Sequence, residues 1–254
     1  LERARAAGVR VLVVTVDVQI AAMRENELRN GFSIPLRPNA RLVWGVLKRP
    51  HWLALTFART LLRQGVPHFE NFTATRGGPI LQAAPGDHRA GRAAFTWEHI
   101  RWIRERWPGA LVLKGLLRAS DAAMAQRLGV DGVVVSNHGG RQLDGTVASL
   151  DALPAMAAAA PGLTLLLDGG VRRGTDVLKA LALGARAVLV GRPAMYGLAA
   201  AGQAGAAQAL ALLRREIDVD LALLGCTDVA ALGPEWLCRA ASVLSSDLPP
   251  ESQA

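Results

Sequence analysis

The run Gly132-Val133-Val134-Val135-Ser136-Asn137-His138-Gly139-Gly140-Arg141-Gln142-Leu143-Asp144 passes from an apolar stretch straight into a polar, glycine-rich tip. Unbroken apolar character marks a strand buried on both faces, and a parallel sheet delivers its chemistry at the strand end that follows. The same plan recurs at 9–17 (VRVLVVTVD), 110–115 (ALVLKG), 163–170 (LTLLLDGG) and 187–192 (AVLVGR). Helical patterns at 120–129, 149–160 and 174–184 separate the last four. This βαβα alternation predicts an α/β fold. Because every strand ends in a tip suited to function, a (β/α)8 TIM barrel is favoured over a doubly wound sheet. Five strands are visible, so the chain reads as about the last five β/α units of one barrel domain over 1–254, with three further strands expected before Leu1.

The rhythm breaks between 18 and 109, which is too long for one crossover. Residues 41–65 set Trp44, Leu47, Leu55, Leu61 and Leu62 among basic side chains, the pattern of an interfacial helix pair or of a basic insertion packed on the barrel. The stretch 77–93 is rich in Gly and Pro, so 37–93 is predicted as a basic, partly mobile insertion. A helix at 95–107 leads back into the next strand.

Composition narrows the class. The chain has 254 residues, 51% of them hydrophobic, and 29 basic against 21 acidic side chains. That excludes a disordered, collagen-like or disulfide-scaffold protein. Residues 1–114 hold 18 basic and 8 acidic side chains, whereas 115–254 hold 11 and 13. Between Arg37 and Phe69 there is no acid at all, which points to an anionic partner. No nucleic-acid reading motif accompanies the basic run, so nucleic acid is not expected. Cys226 and Cys238 sit in no metal-ligand or CxxC spacing and read as reduced thiols of an intracellular protein; no metal is expected. The uncharged run Pro193–Leu213 is long enough to cross a bilayer but only weakly apolar, so it is assigned to an Ala-rich amphipathic helix.

The strand tips carry the chemistry. His138 and Arg141 put a proton acceptor and a bidentate carboxylate binder at one exposed strand end. A lone histidine there is more often structural; an acid at the same barrel mouth changes the balance. Alternation in Thr15-Val16-Asp17 puts Thr15 and Asp17 on one side of the strand, where Asp17 is placed to fix the His138 tautomer and stabilise its imidazolium. Lys114 follows four apolar residues and reads as a point charge against an anionic group. Asp168-Gly169-Gly170-Val171-Arg172-Arg173-Gly174 and Gly191-Arg192-Pro193 each follow a strand, and glycines beside a helix N-terminus and an arginine suit a phosphate.

These residues bear a resemblance. SNHGGRQLD, followed by LDGGVRRGTDVLKALALGA and VGRP, resembles the FMN-dependent α-hydroxy-acid dehydrogenases and oxidases, whose members oxidise glycolate, L-lactate or mandelate. The likeness runs from Leu1 to about residue 237, and the segments LLRQGVPHFENF, WEHIRWIRERWP and LLGCTDVAALGPEWL lean toward the mandelate-oxidising branch. It implies His138 as the active-site base with Asp17 as its partner, Arg24 and Arg141 on the substrate carboxylate, and Lys114 at the flavin ring. It further implies that Thr15 and Ser136 contact the ring, while Asp168, Gly169, Gly170, Val171, Arg172, Gly191 and Arg192 hold the ribityl chain and phosphate of FMN. The implied reaction takes an L-2-hydroxy acid, mandelate- or lactate-like, to its 2-oxo acid, with electrons leaving to a quinone or to oxygen.

Membrane-associated members of this family make contact through the corresponding insertion. The basic, tryptophan-bearing 37–69 is therefore a candidate for peripheral contact with the inner face of the cell membrane in an otherwise cytoplasmic, homo-oligomeric protein. The sequence departs from the family pattern at Val18-Gln19 and at Ala22-Met23, in the segment that leads to Arg24. Two other readings stay open at this stage: a phosphate-binding barrel enzyme without flavin, and an inactive, truncated fragment.

Overall fold

The computed structural model describes residues 1–20, 22–33, 35–71, 75–82 and 94–238. Most of the stretch expected to be mobile, 83–93 of 77–93, lies outside the described residues. Helix α1 (Glu2–Ala6) leads into strand β1 (Val11–Thr15), and a long excursion follows. It contains α2 (Glu25–Arg29), α3 (Ala40–Leu47) and α4 (Pro50–Trp52), the last running through a π-helical turn (Leu53–Ala58) into α5 (Arg59–Gln64). Then come α6 (Trp97–Arg106), β2 (Ala110–Leu116), α7 (Ala119–Arg127), β3 (Gly132–Val135), α8 (Ser149–Ala159), β4 (Thr164–Leu167), α9 (Gly174–Ala182), β5 (Ala187–Val188) and α10 (Arg192–Leu224).

All five strands pair in parallel, in the order β1-β2-β3-β4-β5. A doubly wound sheet reverses its strand order at a switch point, and this one does not. The architecture is five consecutive β/α units of a (β/α)8 barrel. Each expected strand is present; four are shorter than their runs, β5 most of all, because the ends of those runs belong to the tips rather than to the ladder, while β2 extends one residue past its run.

Register and alternation divide the sheet into two faces. Leu111, Leu113, Val133, Val135, Leu165 and Leu167 are buried on the outer face and pack with Ile100, Trp107, Ala122, Leu153, Met156 and Val177. Each Leu, Val, Ile or Met side chain among them contributes about 1.5–3 kcal/mol through removal from water. Trp107 is fully buried and still satisfies its indole, which donates to the Ala110 carbonyl at 3.0 Å. Val13, Val112, Val134 and Leu166 belong to the inner face, and Val13 there is 50% exposed. That face reaches the end of the β1–β2 ladder at Thr15 and Lys114, which are register partners.

The uncharged run from Pro193 is helical but not one helix. α10 breaks at Ala201 and Gly202, and its two arms cross where Gly197 meets Gly205. Among the described residues no helix is long and apolar enough to cross a membrane. Cys226 is buried and Cys238 exposed, both as free thiols.

Candidate active site

The loop after β3 is tied down by side chains near its backbone. Ser136 Oγ accepts from the His138 N–H at 3.0 Å, Asn137 Oδ1 from the Gly139 N–H at 3.0 Å, and Ser149 Oγ from the Asn137 N–H at 3.1 Å. His138, Gly139 and Gly140 all take positive φ, 56°, 67° and 71°. Histidine tolerates that region better than most side chains, and the three bonds outweigh its modest strain. The turn aims His138 back at β1, where its Nδ1 lies 3.2 Å from both oxygens of Asp17.

Two neighbours make that approach possible. Gly115 has φ 108°, and a Cβ there would sit 2.5 Å from Asp17 Cγ, so glycine is required for Asp17 to come so close. Gln142 donates to the Asp17 carbonyl at 2.7 Å and fixes the loop from the other side. Lys114 Nζ donates to Ser136 Oγ at 2.9 Å and pairs with Asp168 Oδ2 at 2.6 Å. The anionic group expected opposite Lys114 is thus, within the chain, a carboxylate delivered by β4.

The two arginines expected on a substrate carboxylate are brought together by Glu27. Arg141 bonds directly to Glu27 Oε1, and Arg24 Nη1 lies 3.7 Å from Oε2. Arg24 Nη2 also donates to Gln142 Oε1 at 3.2 Å, which leaves its buried Nε without a partner. At the other end Arg192 Nη2 donates to the Gly139 carbonyl at 2.8 Å and links the β5 tip to the β3 loop.

A cavity of about 610 Å³ opens beside His138 and Lys114, within the usual range for a small-molecule site. Lys114, His138, Arg141, Asp168 and Tyr196 line it with residues 169–172 and 189–193. A larger hollow of about 1020 Å³, between α1 and α6, contains none of the strand-tip groups.

One expectation for the phosphate needs correcting. The N-terminus of α9 is already filled: the Arg172 and Arg173 N–H groups donate to Asp176 Oδ2, and the Gly174 N–H to Glu216 Oε2. The Gly174 N–H, together with the Arg173 guanidinium, holds the Glu216 carboxyl below its ordinary range. Helix α10 instead begins at Gly191 with no side-chain cap, and Arg172 has no carboxylate partner among the described residues. The helix end open to an anion is therefore that of α10.

Residues 1–239 match the FMN-dependent dehydrogenase family. The chain belongs to that family. It is 43% identical over 230 residues to (S)-mandelate dehydrogenase of Pseudomonas putida, covering 91% of this chain and 57% of that one. It is 42% identical over 238 residues to an L-lactate oxidase of Nostoc sp., covering 93% and 59%. Among solved structures, that of the monotopic membrane protein (S)-mandelate dehydrogenase superposes with a TM-score of 0.81 at 40% identity, covering 93% of this chain and 62% of that one. The chain spans about three-fifths of the length of these relatives. The match favours FMN over the phosphate-binding barrel without flavin.

The residues of this member of the FMN-dependent dehydrogenase family fit the cofactor. Asp168 Oδ1 is buried and lacks a donor, the complement of a hydroxyl-bearing chain. A Cβ built on Gly170 or Gly191 would meet nothing within 4 Å, so both glycines border open space beside the uncapped helix. Sequence reasoning passed over Glu27, Gln142, Gly115 and Tyr196. The Lys-Gly pair at a strand tip was a legible signal for Gly115, whereas Glu27 and Tyr196 gain meaning only from their neighbours across the fold.

Proposed function

We propose that this chain carries the catalytic base and the cofactor-binding half of an enzyme oxidising an L-2-hydroxy acid, mandelate- or lactate-like, to the 2-oxo acid. The supporting observation is that His138, paired with Asp17, opens onto the cavity that Arg141 also lines. With Asp17 accepting from Nδ1–H, His138 presents Nε2 as the base, and the imidazolium formed on taking the substrate's proton is stabilised by the carboxylate. Arg141 and the unpartnered Nε of Arg24 take the substrate carboxylate through charge-assisted hydrogen bonds and so hold the carbinol toward His138.

FMN, when bound, supplies the two-electron acceptor. Lys114, Thr15 and Ser136 would hold its ring, and Asp168, Gly169, Gly170, Val171 and Arg172 with Gly191 and Arg192 its ribityl chain and phosphate. The test is anaerobic addition of (S)-mandelate or L-lactate to the FMN-loaded native protein. Bleaching of the bound flavin is expected, and failure of every 2-hydroxy acid to bleach it would overturn the reading.

The excursion from 37 to 69 we assign to a membrane surface, from which electrons leave to a quinone or to oxygen. Its helices pack chiefly on one another and bury no residue. Trp44 is 58% and Leu62 87% exposed among arginines with no acid between them. Such apolar side chains rimmed by cations suit insertion at the headgroup level of an anionic bilayer.

A further inference from the structure

Among the described residues, Glu27 is the one carboxylate that reaches both Arg24 and Arg141. It stands on the short helix α2, far along the chain from Arg141, and is about one-third exposed. Two guanidinium groups converging on one small anion repel each other, and both stand outside the strands, Arg24 just ahead of α2 and Arg141 in the loop after β3. The donors already used follow a pattern. Glu27 engages Arg141 and one terminal nitrogen of Arg24, while Gln142 takes the other terminal nitrogen and at the same time holds the Asp17 carbonyl. What remains of Arg24 is its buried, unpartnered Nε.

The geometry points to Glu27 as a positioning residue that braces Arg24 and Arg141 into one carboxylate-binding unit and, through Gln142, ties that unit to the Asp17–His138 pair. The inference rests on the proposed oxidation of a 2-hydroxy acid, because it assigns the arginines to a substrate carboxylate. Glu27 neutralises one of the two positive charges and leaves a net single charge, matched to a monoanionic substrate. It touches no reacting atom, so its effect falls on how tightly the acid is held and oriented. A competing picture, in which Glu27 sits in the substrate's own place and must be displaced, predicts the opposite sign.

The experiment uses the FMN-loaded native protein and two probes: a 2-hydroxy-2-methyl acid, which has no α-hydrogen to lose, and its primary amide, which has no carboxylate. Dissociation constants are measured by calorimetry for wild type, Glu27→Gln and Glu27→Asp. Losing the brace weakens acid binding roughly 10- to 100-fold in Glu27→Gln, the scale of one charge-assisted contact. Amide binding stays within about threefold, and Glu27→Asp recovers most of the loss. With an oxidisable acid, KM rises while kcat changes less. Equal loss for acid and amide would mean a merely structural role, unchanged acid binding would mean no role, and tighter acid binding would mean a displaced plug; each overturns the inference. If wild type binds neither probe, the proposed oxidation fails instead.

Discussion

His138 Nδ1 stands 3.2 Å from both carboxylate oxygens of Asp17, a contact across 121 residues of chain made by the tips of β3 and β1. The pair fixes which ring nitrogen is free. His138→Gln keeps much of the side chain's shape but not its basicity, so turnover falls about 10³-fold while flavin stays bound. Asp17→Asn removes the anion that stabilises the imidazolium and costs about 10² in turnover. Stopped-flow flavin reduction with a 2-hydroxy acid measures both.

Lys114 and Asp168 form the most enclosed ion pair of the site, each side chain no more than one-fifth exposed. Asp168 Oδ1 already lacks a donor, so Lys114→Met leaves this carboxylate without either charge compensation or a full set of bonds. The variant should be less stable by about 1–3 kcal/mol in urea unfolding and should bind FMN more weakly. Asp168→Asn, which leaves a neutral group beside Lys114, should also weaken FMN binding; equilibrium dialysis against free FMN separates these effects.

The two arms of α10 cross at Gly197 and Gly205, where a Cβ on Gly197 would lie 2.3 Å from the Gly205 carbonyl oxygen. Backbone cannot move away as a flexible side chain can. Gly197→Val is expected to destabilise by about 1–3 kcal/mol and to lower Tm by several degrees, read by calorimetric melting.

Glu216 closes the N-terminus of α9 and is held below its usual pKa of 4.5 by the Gly174 N–H and Arg173. A depressed carboxylate stabilises the fold fully above its unfolded pKa and loses that contribution as pH falls through the folded value. Glu216→Gln therefore melts below wild type at pH 7, and the gap narrows below pH 4.5. Paired melting curves from pH 7 down to pH 3 test the sign.

Trp44 and Leu62 lie at opposite ends of the acid-free excursion, both largely exposed, with Lys48 Nζ 5.0 Å over the Trp44 ring. Replacing both by Ser should abolish co-sedimentation with anionic vesicles while flavin reduction by substrate is retained. Added salt should weaken the wild-type association, since its cations act through a screened surface field.

Much of this was legible from residue order. The apolar runs ending in polar tips foretold all five strands, because a strand buried on both faces must be apolar throughout and its exposed end must not be. The same logic found His138, Asp17, Lys114 and Asp168, each at a tip. The end expected to hold a phosphate was only half legible: two glycine-rich tips were visible, but that Asp176 and Glu216 fill the N-terminus of α9 while α10 stays uncapped depends on a residue 42 positions from Gly174. The kink at Ala201 and Gly202 likewise escaped the helical pattern, since composition does not register two glycines meeting across a crossing.

The sequence by itself determined the strand tips and the chemical types standing on them, because burial pattern and side-chain chemistry are local properties. Only the tertiary structure decided who meets whom: Asp17 against His138 over Gly115, Lys114 against Asp168, and Glu27 between Arg24 and Arg141. Parallel pairing in register brings tips from distant parts of the chain to one rim, and a few ångströms there separate a solvated charge from a working pair.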